Sequence, residues 1–321
     1  MRLPLVALIA GLACAALPAQ AQQCGPLKRA ISLDLTPEPG GARFGVPVSV
    51  NGAQKQLALT TGEFISSLSP ETVAELKLSP RPARTQLLDA KGNVYNTQVV
   101  TVDLAIGPVK ADQQEMLVVN EEPFDGQFGR NLMQNYDIEL DFAGRKLNYF
   151  LTDHCEGQVV YWSTTGFTTV PFTGWDHNSN RRTVTIPVLL DGHELFAEID
   201  TIVSQSILDA DTAKSVFGLT PDSQGAVPLG ALDANPAHRI FGWTFKELKI
   251  GGLTITNQRM QVVPDLVGTK SRDTLRADSR LVRRTDNFHP SMRLGMDLLR
   301  RLHLYLAVKE GKLYLTAAQP K

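Results

Sequence analysis

"VPVSVNGAQKQLALTTGEFISSLSPE", residues 46–71, and "IPVLLDGHELFAEIDTIVSQSILDAD", residues 186–211, are one pattern written twice in this 321-residue chain. Laid over each other without a gap, they match Pro47 with Pro187, Gly52 with Gly192 and Leu68 with Leu208. Apolar residues alternate along 46–50 and 186–190, the period of a half-buried strand. Asn51-Gly52 and Asp191-Gly192 are the pairs that tight hairpin turns demand.

Outward from these stretches the match continues. "LAIGPVKADQQEMLVV" at 104–119 lies over "LKIGGLTITNQRMQVV" at 248–263, and "FGRNLMQNYDIELDFAGRKLNY" at 128–149 over "LGMDLLRRLHLYLAVKEGKLYL" at 294–315. Three collinear blocks make the chain a tandem repeat of two divergent halves, each a small, mostly β lobe. Ser69-Pro70-Glu71 and residues 209–211 start short helices that run to about Leu78 and Leu219. Residues 129–135 and 295–301 give a second short helix before a final strand pair. Residues 154–182, rich in Gly, Thr and Asn, join the lobes and add a strand of their own. The segment between Val263 and Gly295 is longer than its counterpart between Val119 and Gly129. This insertion, residues 264–289, carries Lys270, Arg272, Arg276, Arg280, Arg283 and Arg284. Spaced every fourth residue, Arg272, Arg276 and Arg280 fit one helical face that could dock an anionic partner; a solvated surface offset by Asp273 and Asp278 is the plainer expectation.

Composition narrows the class. Thirty-two Lys+Arg against 33 Asp+Glu leave a net charge of −1, so no global field favours nucleic acid or an anionic membrane. Hydrophobic residues at 43% and charged residues at 20% exclude wholesale disorder and a polytopic membrane protein. At the start, Arg2, an apolar run over residues 3–17 and Ala19-Gln20-Ala21 form a secretory leader, so the mature chain is expected to begin at Gln22. The apolar run is too short for a stable membrane anchor. An exported, periplasmic or secreted chain follows. Cys14 leaves with the leader, and the two remaining thiols, Cys24 and Cys155, have one intramolecular pairing open to them in an oxidising compartment. The expected organisation is a leader at 1–21, a first lobe at 22–155, a linker at 156–183 and a second lobe at 184–321.

The strand–turn–strand, the Asp-Thr pair with its helix, the flap-like hairpin around Lys91-Gly92-Asn93 and the apolar-apolar-Gly block before a short helix together resemble the retropepsin-like aspartic proteases. The likeness covers residues 45–149 and 184–315, as in tandem two-lobed proteins of bacterial envelopes. It implies a mainly β fold of two retropepsin-like acid-protease β-barrel lobes with short helices, each lobe giving one Asp-Thr-Gly to a shared cleft. The chemistry it implies needs two carboxylates sharing one proton, one taking a proton from water while the other protonates the scissile carbonyl. Here the second lobe has Asp200-Thr201-Ile202, while the first has Thr60-Thr61-Gly62 with Thr60 in the Asp place. A threonine hydroxyl hydrogen-bonds water but does not cycle a proton near neutral pH. The glycine place is altered in the opposite lobe, where Ile202 is a poor fit to any position requiring a positive φ. Thr61 and Thr201 stand where the family interlocks two threonines across the lobes.

Asp200 is thus the candidate catalytic acid, or else a buried carboxylate satisfied by Thr201 and backbone donors with the titration of an ordinary hydrogen-bonded Asp. Asp125 and Asp297 are expected to cap or turn the chain. No nucleophile elbow, phosphate loop or zinc helix occurs, and His154, His177, His193, His238, His289 and His303 lack ligand spacing, so neither cofactor nor metal is expected. Trp162, Trp175 and Trp243 could line a groove or fill a core. Three functions remain open: a catalytically impaired protein that holds an extended peptide or unfolded protein segment by β-pairing, an active aspartic-type endopeptidase using Asp200, and an envelope scaffold with a vestigial cleft.

Overall fold

Both Asn51-Gly52 and Asp191-Gly192 adopt two consecutive positive φ angles, 49° and 87° in the first and 45° and 84° in the second. That geometry twists a two-residue turn in the sense antiparallel strands require. The computed structural model in which these turns are seen describes residues 24–88, 93–175, 183–265 and 290–318. In the first half, β1 (Arg29–Asp34), β2 (Thr36–Pro37), β3 (Phe44–Val50), β4 (Ala53–Leu59) and β5 (Ser67–Leu68) lead to α1 (Pro70–Glu75). They are followed by β6 (Arg81–Leu88), β7 (Val94–Ile106), β8 (Val109–Val118), β9 (Gly126–Phe128), β10 (Asp137–Asp141) and β11 (Lys146–Phe150). Between the halves lies β12 (Thr168–Pro171), the linker strand anticipated from the sequence. The second half repeats the series as β13 (Thr185–Leu190), β14 (His193–Ile199), β15 (Ile207–Asp209), α2 (Ala210–Phe217), β16 (Val227–Ala231), β17 (Arg239–Ile250), β18 (Leu253–Val263), β19 (Met292–Leu294), α3 (Met296–Leu299), β20 (Leu302–Ala307) and β21 (Lys312–Ala317).

Each half forms its own sheet, in the order β2-β3-β4-β9-β5-β8-β7-β6 and β13-β14-β19-β15-β18-β17-β16, curled by β3–β7 and β13–β17 pairings. In both, the strand before the Thr/Asp motif runs parallel to a short late strand, β4 beside β9 and β14 beside β19. A third sheet, β1-β11-β10-β20-β21-β12, draws strands from both halves, with β10 antiparallel to β20. Every residue of β20 is buried. Its polar groups are therefore paired: His303 Nε2 lies 2.8 Å from Glu139 Oε1 and His154 Nε2 2.5 Å from Asp137 Oδ2, and Tyr305 donates to Asp137.

The helices start where the sequence places them. Ser69 Oγ accepts from Thr72 N and caps α1, Asp209 Oδ2 accepts from Thr212 N and caps α2, and Gly218 closes α2 at φ 67°. The second short helix is shorter than expected: a 3-10 turn at Arg130–Leu132 in the first lobe and four residues of α3 in the second. Asn131 and Asp297 explain the restraint. Each accepts from the backbone N and hydroxyl of a serine, Ser66 and Ser206, so the turn is tied sideways to the motif loop before the chain enters β10 or β20.

Cys24 and Cys155 are joined, with Cα atoms 4.7 Å apart. Trp175 is core, Trp162 stacks on His303 at 4.2 Å, and Trp243 packs against the second-lobe core. No helix among the described residues is long and apolar enough to cross a membrane. The leader with Cys14, the flap-tip residues Lys91 and Gly92, His177, His289 and the basic residues of the insertion lie outside the described residues.

Candidate functional site

Strands β4 and β14 end where the lobes meet, and the residues that follow them interlock. Thr61 Oγ1 donates to Ile199 O at 2.6 Å and accepts from Thr201 N at 3.2 Å. Thr201 Oγ1 donates to Leu59 O at 2.7 Å and accepts from Thr61 N at 3.1 Å. Each hydroxyl thus uses its one proton and a lone pair across the interface. All of these groups are buried, so no water competes for them.

Strand alternation decides what else faces the junction. On β14, Ala197 and Ile199 enter the hydrophobic core, which turns Glu198 and the following Asp200 to the opposite face. On β4, Leu57 and Leu59 are core, and Ala58 and Thr60 are their outward partners. On β19, Met292 and Leu294 are core and Arg293 lies between them, directly across the ladder from Glu198. Arg293 Nη1 is 4.0 Å from Asp200 Oδ2. The matching ladder position in the first lobe pairs Ala58 with Gln127.

Asp200 is 4% exposed. Its Oδ1 accepts from Ile202 N at 3.1 Å, while the Thr201 hydroxyl is committed across the interface to Leu59. One backbone donor and a distant guanidinium do not offset the loss of hydration. The carboxyl is raised above the ordinary range, burial outweighing Arg293 and the Ile202 N–H. This corrects the expectation of an ordinary hydrogen-bonded Asp. Glu198 is pushed up to about 8, first by burial and then by the charge of Asp200, against the pull of Arg293. Glu63 is solvent-exposed by surface area, yet it sits among enough protein atoms for desolvation, and then Asp200, to raise it; its contact with water moderates that rise. Arg130 is fully buried, donates to Gly174 O at 2.5 Å and lies over the Phe64 ring. Desolvation lowers it to about 10, even with Glu198 and Glu63 opposing.

Thr60 is fully buried in the place of the first-lobe acid. Its hydroxyl accepts from Glu63 N at 3.1 Å, and its own N donates to Phe128 O. Gly62 has a steric reason to be glycine: a Cβ there would lie 2.7 Å from Asp200 Oδ1. Ile202 is not at positive φ, and its N–H still reaches Asp200, so the expected misfit at this position is not observed. The repeat relates Ile202 to residue 60 as it relates Gly62 to Asp200.

The candidate residues Asp200, Thr201, Thr60, Thr61 and Gly62 come together at one junction. Asp125 and Asp297, expected to cap or turn the chain locally, instead tie distant segments together, Asp125 accepting from Gln56 N and Asp297 from Ser206 N. Sequence reasoning passed over Glu63, Glu198, Arg130 and Arg293. Glu198 and Arg293 carried a signal, since each is a charge set between apolar neighbours, Phe196-Ala197-Glu198-Ile199 and Met292-Arg293-Leu294. Only the parallel β14–β19 pairing shows that they are neighbours. β6 and β7 form the first-lobe hairpin up to the Leu88–Val94 pair, beside the tip that is not described. Chemically the junction offers two buried acids, Asp200 and Glu198, with Glu63 beside them, hydroxyls already engaged and two guanidinium groups.

Residues 46–132 match the family model of aspartyl proteases. No curated protein sequence matches the chain. Among solved structures, the aspartic proteinase from Irpex lacteus is similar in fold, with a TM-score of 0.50 at 12% identity, covering 90% of this chain and 97% of that one. The first lobe is thus similar in sequence to aspartyl proteases, and the chain as a whole shares the two-lobed fold of an aspartic proteinase.

Proposed function

We propose that this is an exported aspartic-protease-like protein that holds an extended peptide or unfolded protein segment in the cleft between its lobes and is impaired as a peptidase. One observation carries the reading: Thr60 is buried in the dyad position with its hydroxyl engaged by Glu63 N, while the Thr61–Thr201 interlock is whole. The cleft floor is kept and one of its two acids is absent. Losing one member of a general acid–base pair typically costs roughly 10²–10⁴ in rate. The Cys24–Cys155 pair supports an oxidising compartment such as the periplasm.

A second reading, an active endopeptidase using Asp200, draws on the proximity of Glu198 and Glu63, whose carboxyls are raised along with that of Asp200. Mass-spectrometric analysis of a complex peptide mixture incubated with the mature protein from acid to neutral pH, beside Asp200→Asn, separates the two. The proposal expects no Asp200-dependent cleavage. Products that vanish in Asp200→Asn establish the peptidase.

A further inference from the structure

The first- and second-lobe walls of the cleft are built on the same ladder but differ in charge. Where β4 and β9 pair, the matching residues are the fully buried Ala58 and the half-buried Gln127, both neutral; where β14 and β19 pair, they are Glu198 and Arg293. Of the second pair, Glu198 is 6% exposed, whereas the Arg293 side chain is 43% exposed. The charge a ligand meets on that wall is the guanidinium. Its contact with Asp200 is 4.0 Å, beyond hydrogen-bond length, and its N–H groups donate to no acceptor among the described residues. An Arg beside a buried acid, half-exposed and with its planar fork uncommitted among the described residues, is built to receive a carboxylate in bidentate fashion.

From this geometry we infer that Arg293 is the specificity-determining residue of the cleft, selecting an extended peptide that sets a carboxylate, from an Asp or Glu side chain or a chain terminus, against the second-lobe wall. The inference rests on the peptide-holding reading above. The neighbouring acids do not repel such a ligand as a full set of charges would. Glu198 is held largely neutral at pH 7 by burial, and Asp200 is raised in the same direction. Arg130 cannot serve in its place, being fully buried and donating to Gly174 O. On the first-lobe side, Gln127 donates to Glu121, and the cation there, Arg43, is already paired with Glu121 and Glu38.

The test is fluorescence anisotropy on the mature full-length chain with acetylated decapeptides scanned at each position with Glu, Gln, Leu or Lys. Each is made with both a free and an amidated C-terminus. At one position Glu is expected to bind about tenfold or more tighter than Gln, the magnitude of a charge-assisted hydrogen bond lost. A preference that persists in amidated peptides assigns the carboxylate to a side chain; one that follows the free terminus assigns it to the chain end. Arg293→Gln should erase the preference while retaining Gln-peptide affinity, and Arg293→Glu should turn it toward Lys. Peptides that bind wild type and Arg293→Gln with the same order of preference overturn the role of Arg293 and leave the peptide-holding cleft standing. If no peptide of any composition binds, both fall together.

Discussion

At the scale of the residue, the decisive position is Thr60. A Cβ at Gly62 would lie 2.7 Å from Asp200 Oδ1, and the repeat sets residue 202 against residue 60 in the same way, so an acid at 60 is expected to need a glycine at 202. Thr60→Asp together with Ile202→Gly is expected to raise peptide cleavage by roughly 10²–10⁴ over wild type in an acid-range peptide assay. Thr60→Asp alone is expected to yield less activity and a lower melting temperature. Glu198 supplies a pH signature. Its folded carboxyl titrates at about 8 against an ordinary glutamate value of 4.5, so the folded state holds the proton more tightly than the unfolded chain. Stability therefore declines as pH rises from about 4.5 to about 8 and levels above that. In melting curves across this window, Glu198→Gln should flatten the decline, leaving the part that belongs to Asp200, whose carboxyl is raised as well.

At the scale of the element, the strands and turns were legible from period and punctuation. Alternation along β3 and β13 and the Asn-Gly and Asp-Gly pairs specify hairpins by local sterics alone, and Ser69 and Asp209 mark helix starts for the same local reason. The site was half legible: Asp200, Thr60 and the two threonines stand in one motif, whereas Arg293 is some ninety residues away and reaches Glu198 only through a parallel pairing that no local pattern encodes. The titration of Asp200 was misjudged because it depends on where the Thr201 hydroxyl points, which the partner lobe decides. That interlock is itself testable. Thr201→Val keeps the shape but removes the donor to Leu59 O and the acceptor for Thr61 N, leaving both buried. A loss of about 1–3 kcal/mol per orphaned group is expected in urea unfolding. Thr61→Val should behave alike, by the symmetry of the contacts with Ile199 O and Thr201 N.

At the scale of the whole molecule, a shared sheet holds the halves in register and a disulfide ties the two ends of the first half together. The disulfide closes 131 residues of chain, from the start of the described residues to the segment beyond β11. In the chain-entropy model such a loop is worth about 5 kcal/mol. Cys24→Ser is expected to lose a large part of this in equilibrium unfolding, and reductant should reproduce the loss in wild type while leaving the variant unmoved.

The shared sheet has a further consequence for the two halves as separate objects. β10 and β20 meet in the middle of the six strands, so neither half owns a finished sheet. Divided after β12, the first piece would present β10 as a bare edge and carry β12 without its partner, and the second would present β20, Leu-His-Leu-Tyr-Leu-Ala, and β21 with rows of unsatisfied amides and carbonyls. Such edges recruit other strands. Each piece made alone would aggregate or pair with itself, whereas the two made together would find one another. The shared sheet thus makes each half depend on the other for a finished edge.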